Sequence, residues 1–583
     1  MYVKTSFREE VKTVNKRSVH GWKITIGSHD LRSCTPANVQ AFELVINRNI
    51  ARSRVVHTSA DDPAASYIVA RDPILDVGSS RALSLAKALV DECTHGHERC
   101  IWISPPADVR LPARLIDCTD TSSPRLVSTA GEFGKYLALS YVWGEPQPHQ
   151  TTMCNISTYA KRIDVSLLPQ TIRDAIAVTH SLGLQYLWTD SLCIVQDSGE
   201  DKLHELARMH LVYRYAYLTI IAASAERVSD GFLEDRSPPL DPEDYLTLPI
   251  VCPPHSHTPG GSITGVQQVG EMHTTPIIVA AGNTVEHQDV EEWEPINARG
   301  WCLQEFYMSP RALLFTSVTL QFKCQAGRWN IGHSLQTTKN DFWLPDVLFY
   351  PDPPALEQGS LDWSMVHRRW GDIVHQYSTR KLGEASDKLV ACGALAEAFH
   401  RILSSDYLAG LWRDTLLHDL LWRRAPDAMS ITDLVRPAEY RAPSWSWASV
   451  DGPVSMLPWD YGADATAVAE ILRCEVTLKD PELQFGELRG ASIVLRAALI
   501  LFKLKPDKTG WGEEVWVPPP PREPLLGVHD FGDEAETMLE DRMIETRSRK
   551  AYQRIGIFDA QSGGWDALQL YMALVPLVEV ELV

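Results

Sequence analysis

The chain has 583 residues, of which 44% are hydrophobic and 22% are charged, so it belongs with folded proteins and not with disordered ones. This length predicts roughly two to four domains. The net charge of −20 argues against a broad electrostatic interaction with nucleic acid or with an anionic membrane. The 18 tryptophans imply large buried aromatic surfaces.

The N-terminus, the apolar runs and the cysteines predict a cytoplasmic protein. Residues Met1 to Ile24 mix Lys, Arg and Glu and lack the apolar core of a signal peptide. The apolar run from Ala491 to Phe502 is short and contains Arg496, so we expect no membrane span. The eleven cysteines are scattered and odd in number, which indicates mostly reduced thiols in an intracellular compartment.

The chain begins with two segments that we separate by composition. Residues 1–85 are mixed and predict an irregular N-terminal extension, and residues 86–130 form a lead-in that contains cysteine and histidine. In that lead-in, Cys93, His97 and Cys100 have the spacing of three metal ligands. No fourth ligand follows at zinc-finger spacing, so we assign no metal and favour a packed thiol cluster or a turn.

Residues 136–223 alternate between strand and helix patterns, which predicts a parallel α/β sheet. Gly144 and Pro146 stop the first strand. Ser140, Tyr141 and Trp143 are therefore expected at the strand's C-terminal end, where open α/β sheets bind ligands. Core packing is an equally open role for these side chains. The predicted strands are Tyr136–Trp143, Tyr186–Ile194 and Tyr217–Ala223, and the predicted helices are Leu168–Leu182 and one that starts at Glu200.

Two carboxylates stand in apolar surroundings. Asp190 interrupts the second strand and marks either its end or a buried polar site. A helix predicted over Arg299–Met308 places Glu305 on one face with Trp301. Burial raises the pKa of a carboxyl group and can make it functional, whereas an ion pair with Arg299 or Arg311 is the structural alternative.

The sequence lacks the motifs of several common enzyme classes. There is no dinucleotide-binding glycine fingerprint, no phosphate-binding loop and no nucleophile elbow. His204 and His210 are six residues apart, so the metalloprotease spacing is missing. The thiols of Cys193 and Cys302 lie in apolar sequence, where a cysteine is usually inert as a nucleophile.

The remaining segments predict an insertion and a different C-terminal region. Residues 235–275 are rich in Pro, His, Gly and Thr and indicate an exposed insertion. Residues 335–583 predict a helical part followed by a mixed α+β part. Its predicted elements are helices within Trp363–Phe399 and Tyr407–Trp422, strands at Ser444–Asp451 and Ala491–Leu504, a stiff linker at Pro518–Pro521 and an acidic segment at Asp530–Asp541.

Three blocks of the sequence combine aromatic residues with hydroxyl, amide or carboxylate side chains. They are Tyr136-x-x-Leu-Ser-Tyr-x-Trp-Gly144, Leu187-Trp-Thr-Asp-Ser-Leu-Cys-Ile-x-Gln-Asp197 and Arg299-Gly-Trp-Cys-Leu-Gln-Glu305. In order and spacing they resemble the three signature blocks of the fungal heterokaryon incompatibility (HET) domain. The likeness covers roughly residues 130–310, and we place the domain at 131–334.

The resemblance implies a role in non-self recognition, in which the domain triggers growth arrest or cell death when incompatible hyphae fuse. It also implies a distant similarity to TIR domains, which have a flavodoxin-like parallel sheet and in several lineages cleave NAD. The catalytic glutamate of those enzymes lies in a Trp-Cys-x-x-Glu block, which Trp301-Cys302-Leu-Gln-Glu305 reproduces. The expected fold class is α/β, with a TIR/flavodoxin-like sheet followed by a mixed α+β, Trp-rich C-terminal region.

If the resemblance extends to activity, NAD is the substrate, no other cofactor is expected, and Glu305 stabilises the oxocarbenium-like centre that the departing nicotinamide leaves. Tyr141 and Trp143 are expected to stack on a ring of the nucleotide, Asp190 to hold a hydroxyl group and Arg299 to counter phosphate charge. The full set of residues expected to bind the nucleotide is Ser140, Tyr141, Trp143, Gly144, Asp190, Arg299 and Trp301.

Two other functions stay open from the sequence. One is a non-enzymatic signalling or scaffold module, in which Glu305 makes a structural ion pair and the Trp-rich C-terminal region is a partner surface. The other is a protein of a secondary-metabolite pathway. For the effector, we expect self-association or binding to another incompatibility protein, and no nucleic acid partner.

Overall fold

The computed structural model divides into two compact units, residues 1–297 with 305–343 and residues 298–304 with 344–583. The structure describes residues 23–28, 40–46, 49–68, 70–103, 109–237, 246–252, 268–277, 294–334, 343–350, 352–425, 434–456, 469–481, 483–497, 503–506, 513–516, 544–546, 552–553 and 578–582. The predicted linker at 518–521 and the acidic segment at 530–541 lie outside the described residues.

The described residues of the first unit form both strands and helices. Its strands are β1 Lys23–Ser28, β2 Gln40–Ile46, β3 Asn49–His57, β4 Val109–Arg110, β5 Arg114–Asp117, β6 Arg125–Ser128, β7 Phe133–Gly134, β8 Tyr136–Ser140, β9 Tyr186–Trp188, β10 Leu218–Ile221, β11 Leu246–Cys252, β12 Gln268–Ile277, β13 Arg311–Phe315, β14 Leu320–Cys324 and β15 Gly327–Asn330. Its helices are α1 Ser80–Gly96, α2 Glu98–Ile103, α3 Ile156–Tyr159, α4 Gln170–Ser181, α5 Asp190–Cys193 and α6 Gly199–Tyr215. A further helix, α7 Trp301–Met308, belongs to this unit from Glu305 onward.

An eight-stranded sheet forms the centre of the first unit, in the order β15-β14-β13-β10-β8-β9-β5-β6. The four strands β13, β10, β8 and β9 are parallel, and antiparallel strands flank them on both sides. Every residue of β8, β10 and β13 is buried, as expected for parallel strands that are covered on both faces. The predicted α/β class is confirmed, and the sheet is mixed rather than parallel throughout.

Helices α4 and α6 lie between the parallel strands; α4 begins and ends close to its predicted bounds, and α6 begins close to its predicted start. The buried face of α4 contains the predicted positions Ile172, Ala175, Ile176 and Thr179. The α6 helix starts after Ser198, whose hydroxyl accepts a hydrogen bond from the Asp201 amide at 3.3 Å. Glu200 and Asp201 lie in its first turn, where the helix dipole favours negative charge.

The second predicted strand was wrong beyond Trp188. The strand β9 covers Tyr186–Trp188, and residues Asp190–Cys193 form the short helix α5. The carboxylate of Asp190 accepts a hydrogen bond from the Ser191 amide at 2.7 Å, which satisfies an N–H group in the first turn. Aspartate therefore starts a helix here, and the apolar residues after it mimic the continuation of the strand.

The N-terminal extension is not irregular, because β1, β2 and β3 form an antiparallel sheet with β11 and β12. The strands β11 and β12 come from the segment at 235–275 that the sequence indicates as an exposed insertion. A small buried cluster of Ala64, Ile68, Cys252 and Met272 packs there. Pairing between segments about 200 residues apart leaves no local sequence pattern, since each strand is ordered by its partner.

The second unit contains helices followed by short antiparallel sheets. Its helices are α8 Leu361–Ser378, α9 Gly393–Leu403 and α10 Leu416–Asp419, and its strands are β16 Tyr407–Leu408, β17 Leu411–Trp412, β18 Arg423–Arg424, β19 Val454–Ser455, β20 Glu470–Leu478, β21 Leu488–Ala497, β22 Lys503–Pro506, β23 Glu513–Trp516, β24 Ile544–Thr546, β25 Tyr552–Gln553 and β26 Val578–Leu582. The ring of Trp370 packs edge-to-face on Phe399 and on Trp412, with centroids 5.4 Å apart in both pairs.

Two predictions for the second unit were wrong. Residues 407–415 form no α-helix, because Ala409 and Gly410 have φ angles of +54° and +98° and make a two-residue turn between β16 and β17. The segment Ser444–Asp451 contains a 3₁₀ turn at Trp447–Ser449 instead of a strand. The Ser446 hydroxyl accepts a hydrogen bond from the Ala448 amide at 3.0 Å and thereby starts that turn.

Candidate functional site

The end of strand β8 carries a serine that is hydrogen-bonded to the carboxylate of α7. Ser140 is the last residue of β8 and only 1% exposed, and Glu305 is 7% exposed. The Ser140 hydroxyl donates a hydrogen bond of 2.5 Å to Oε2 of Glu305. A buried carboxylate therefore lies at the C-terminal end of a central parallel strand, and the serine and the glutamate are 165 positions apart in the sequence.

A second carboxylate connects the loop after β8 with the loop after β9. The Tyr141 hydroxyl donates a 2.8 Å hydrogen bond to Oδ1 of Asp190, and the Trp143 indole Nε1 donates a 2.9 Å bond to its Oδ2. The Ser191 amide also donates to Oδ1. Both oxygens of Asp190 are thus engaged, so this side chain holds Tyr141 and Trp143 in place.

Tyr141 is a buried hydrogen-bond donor. Its hydroxyl lies 3.1 Å from the Ser191 hydroxyl and accepts a 3.1 Å hydrogen bond from Gln147 Nε2. Burial, reinforced by the negative charge of Asp190, raises the pKa of Tyr141 well above its usual value. The phenol stays protonated at any physiological pH and keeps donating to Asp190.

Gly144 has a backbone role at the edge of the sheet. Its φ angle is +65°, and a Cβ atom there would lie 2.3 Å from the carbonyl oxygen of Glu226. The Val228 amide donates a 3.0 Å hydrogen bond to the carbonyl of Trp143 next to it. Only glycine lets the loop after β8 pack so closely on the loop that follows β10.

Comparison with protein families gives one finding for this chain. Residues 136–305 match the family model described as heterokaryon incompatibility protein (HET). The chain carries a HET domain. No curated protein and no solved structure gives a match. The match begins at the first residue of β8 and ends at Glu305, so it spans the three sequence blocks.

Helix α7, at the end of the HET domain, is held in place by Lys323, which the sequence analysis missed. Lys323 lies on β14 and is 2% exposed, and its Nζ donates hydrogen bonds to the carbonyls of Phe306 at 2.7 Å and Ser309 at 3.4 Å. A cation at these carbonyls complements the C-terminal end of the helix. In the sequence, this role is indicated only by the presence of a lysine inside a β-prone apolar run.

An ion pair fixes the segment after α5 in the HET domain. The Arg114 guanidinium donates hydrogen bonds to both carboxylate oxygens of Asp201, at 2.7 and 2.5 Å, and a 2.7 Å bond to the carbonyl of Cys193. Asp201 also accepts from the Val195 amide at 2.8 Å. These contacts fix the backbone of the second block at Cys193 and Val195.

Arg299 and Trp301 lie in the second compact unit, whereas Ser140, Tyr141, Trp143, Gly144, Asp190 and Glu305 all lie in the first. The Trp301 indole Nε1 donates a 3.2 Å hydrogen bond to Oδ2 of Asp387. The carbonyl of Arg299 accepts a 3.2 Å bond from the Arg380 guanidinium. Burial raises the pKa of the Asp387 carboxyl group. Their described contacts are therefore structural ones within the second unit.

The two cysteines weighed as nucleophiles are buried. Cys193 is 1% exposed, and burial raises the pKa of its thiol to about 12. Cys302 is 3% exposed. A thiol with a raised pKa carries little thiolate at neutral pH, which makes nucleophilic chemistry at Cys193 unfavourable.

The three lead-in residues Cys93, His97 and Cys100 come together, and Cys324 joins them as a fourth. Hydrogen bonds from Cys324 and Cys93 lower the pKa of the Cys100 thiol, and the bond to Cys100 raises the pKa of Cys93. The sequence spacing could not indicate Cys324, since it is 227 residues from His97.

The described part of the chain contains no helix with the length and apolar composition needed to span a membrane.

Proposed function

We propose that the chain is an effector of heterokaryon incompatibility whose HET domain hydrolyses the bond between nicotinamide and ribose in NAD. The observation that carries this proposal is the hydrogen bond from Ser140 to Glu305, which fixes a buried carboxylate at the C-terminal end of β8. In open α/β sheets, ligands bind outside the carboxyl ends of the strands. We further propose that the domain extends over residues 131–334 and acts after self-association or on binding another incompatibility protein.

The topology supports a TIR-like, flavodoxin-like reading of the parallel strands. Counted from β8 as the first, their order is 2-1-3-4, which is the order at the start of a flavodoxin-like sheet. In such a sheet the ligand-binding crevice opens between the first and third strands, which correspond to β8 and β10. Ser140 is the last residue of β8 and pairs with Ile221, the last residue of β10.

The proposed chemistry needs one carboxylate and one water molecule. Cleavage breaks the C1′–N bond of the nicotinamide ribose, and both electrons of the bond go to the ring nitrogen, which loses its positive charge. Water then bonds to C1′ and releases a proton, which gives ADP-ribose. Positive charge develops on the ribose in the transition state, and the carboxylate of Glu305 stabilises it most strongly where water is excluded.

The contacts refine the roles expected from the sequence. Glu305 is the proposed catalytic residue, and Ser140 positions its carboxylate. Asp190 and the buried Tyr141 act as positioning residues, because their polar atoms are engaged with each other. Trp143 is half-buried and is the aromatic side chain proposed to stack on the nucleotide.

The test is Glu305→Gln in the full chain, with Glu294→Gln as the matched control. Glu294 is also a buried carboxylate, 4% exposed, that accepts a serine hydroxyl, from Ser317 at 2.7 Å. Glutamine keeps the shape and an acceptor for the serine but removes the charge. We expect nicotinamide release from NAD to fall about 100-fold or more in Glu305→Gln only, together with loss of growth arrest in a fungal host.

The burial of Glu305 favours a second candidate function, a non-enzymatic signalling module in which the carboxylate is structural. This function predicts no nicotinamide release from the parent chain at concentrations high enough for self-association. It also predicts that a folded Glu305→Gln variant retains growth arrest. Either result, obtained with protein whose unfolding transition matches that of the parent, contradicts the enzymatic proposal.

A further inference from the structure

Four potential metal ligands converge within the first unit. Cys93 lies in the last turn of α1, His97 follows that helix, Cys100 lies in α2, and Cys324 ends β14. One ligand atom from each lies within 4.8 Å of all the others. Cys324 Sγ lies 3.4 Å from His97 Nδ1, and Cys100 Sγ lies 4.0 Å from the same nitrogen.

The distances between these ligand atoms are close to those found in a tetrahedral zinc site. Zinc binds thiolate sulfur at about 2.3 Å and imidazole nitrogen at about 2.0 Å, so neighbouring ligand atoms of a tetrahedron are about 3.5 to 3.8 Å apart. The two cysteine–histidine separations differ from the expected value by about 0.5 Å or less, and every other pair lies within 4.8 Å, so small side-chain rotations can complete the tetrahedron. From this geometry we propose that Cys93, His97, Cys100 and Cys324 form a structural zinc site.

The ligand set selects zinc and a structural role. Three sulfurs and one imidazole nitrogen around a point suit zinc, because oxygen-preferring cations such as Mg²⁺ and Ca²⁺ find no carboxylate or carbonyl ligand in the set. All four positions of the tetrahedron are taken by protein atoms. A catalytic zinc keeps one position open for water or substrate, so a closed site serves the fold.

The surroundings of the ligands match those of built metal sites. The Ala326 amide donates a 3.4 Å hydrogen bond to the Sγ atom of Cys324, which stabilises a thiolate. Nε2 of His97, on the far side of the ring from the cysteines, lies 4.0 Å from a carboxylate oxygen of Glu92. The His97 ring also packs on Trp329, with centroids 5.5 Å apart, so its orientation is fixed.

The proposed zinc joins parts of the chain that are far apart in sequence. It fastens the corner between α1 and α2 to the turn between β14 and β15, and Cys324 is 227 residues from His97. A cross-link that closes so long a loop removes much conformational freedom from the unfolded chain. The residue before Cys324 is Lys323, which holds helix α7, so the same strand end anchors both features.

Metal analysis of the full chain tests the proposal. Protein purified under reducing conditions should contain one zinc ion per chain, measured by inductively coupled plasma mass spectrometry. After exchange of zinc for Co²⁺, we expect the visible bands of tetrahedral cobalt and a thiolate-to-cobalt charge-transfer band in the near ultraviolet. Neither signal depends on the function proposed for Glu305.

Cys324→Ser and Cys118→Ser form a matched pair, since both thiols are buried but only Cys324 belongs to the cluster. We expect zinc to fall below about 0.1 ion per chain in Cys324→Ser and to stay at one in Cys118→Ser. If Cys324→Ser does not fold, Cys324→His restores a fourth ligand and should retain the zinc. In the parent chain, a chelator should expose three further thiols to alkylation.

Three results would overturn the proposal. The first is a parent chain that takes up neither Zn²⁺ nor Co²⁺ after reduction and reconstitution. The second is a disulfide between two of Cys93, Cys100 and Cys324 in freshly purified protein. The third is an equal zinc content in folded Cys324→Ser and in the parent chain.

Discussion

The central sheet of the first unit has two parts that differ in what their polar residues do. At the C-terminal ends of the parallel strands β8 and β9, hydroxyl groups, an indole and two carboxylates are hydrogen-bonded to each other. On the antiparallel side, β14 carries the buried Lys323 and ends at Cys324. The first part contains the residues proposed to bind the nucleotide, whereas the second holds helix α7 through Lys323 and carries Cys324 of the proposed zinc site.

This difference predicts that mutations on the two sides of the sheet affect the free energy of unfolding to different extents. Parallel strands end at a common edge, so loops after different strands bring their side chains together there. Antiparallel strands return in a tight hairpin, which fixes the backbone and suits a cross-link. Changes on the β14 side should therefore lower the free energy of unfolding strongly, whereas an isosteric change at Glu305 should lower it less.

The largest effect on stability is expected for Lys323→Met. Methionine fills a similar volume but cannot donate to the carbonyls of Phe306 and Ser309, and the cation above the Phe306 ring, 4.1 Å from its centroid, is lost. We expect the free energy of unfolding to fall by about 3 kcal/mol, measured by denaturant titration. Hydrogen exchange should increase in α7.

Lys479→Met is the control for that change. Lys479 pairs with Glu487 at 2.7 Å, but its side chain is 62% exposed. Exposed ion pairs contribute little, so we expect a change within about 0.5 kcal/mol. Equal destabilisation by the two variants would show that Lys323 does not anchor α7.

How much of this could be predicted from the sequence depends on how local each feature is. The helix α4, the strand starts at Tyr136 and Tyr186 and the helix after Ser198 follow from periodicity and capping residues within a short window. The three blocks indicate the sheet edge, and the structure brings Ser140 to Glu305 and Tyr141 to Asp190. Tyr141 and Asp190 follow neighbouring parallel strands, which end at a common edge of the sheet, so their contact was predictable from topology.

The features that the sequence analysis missed are formed by long-range contacts. Cys324 completes a cluster with residues more than 200 positions earlier, and β3 pairs with β12 across a similar separation. In the sequence, Lys323 is a charged residue within an apolar run, and its role becomes clear only from its hydrogen bond to the carbonyl of Phe306. Spacing rules apply within one element, so they give no information about a ligand or a strand that tertiary packing supplies.

Asp190→Asn should sharpen the contrast between the two carboxylates. Asp190 accepts hydrogen bonds at both oxygens, from Tyr141 and Ser191 at one and from Trp143 at the other. Asparagine has one acceptor oxygen, so its amide group would face a donor. We expect a loss of about 2 kcal/mol in the free energy of unfolding. Glu305→Gln should lose less, and the reverse order would assign Glu305 the structural role.

Ser140→Ala is expected to lower stability less than Asp190→Asn does, and it tests the connection between β8 and α7. The variant removes the hydroxyl that donates to Oε2 of Glu305 but leaves the carboxylate and its charge. Loss of one buried hydrogen bond should cost about 1 kcal/mol in the free energy of unfolding. If Ser140 positions a catalytic carboxylate, kcat for nicotinamide release should fall about 10-fold with KM little changed, and Ser140→Thr should recover part of it. A fall in stability with unchanged kcat would instead show that this hydrogen bond only connects the strand to the helix. Its role would then be structural, like that of the hydrogen bond from Lys323 to Phe306.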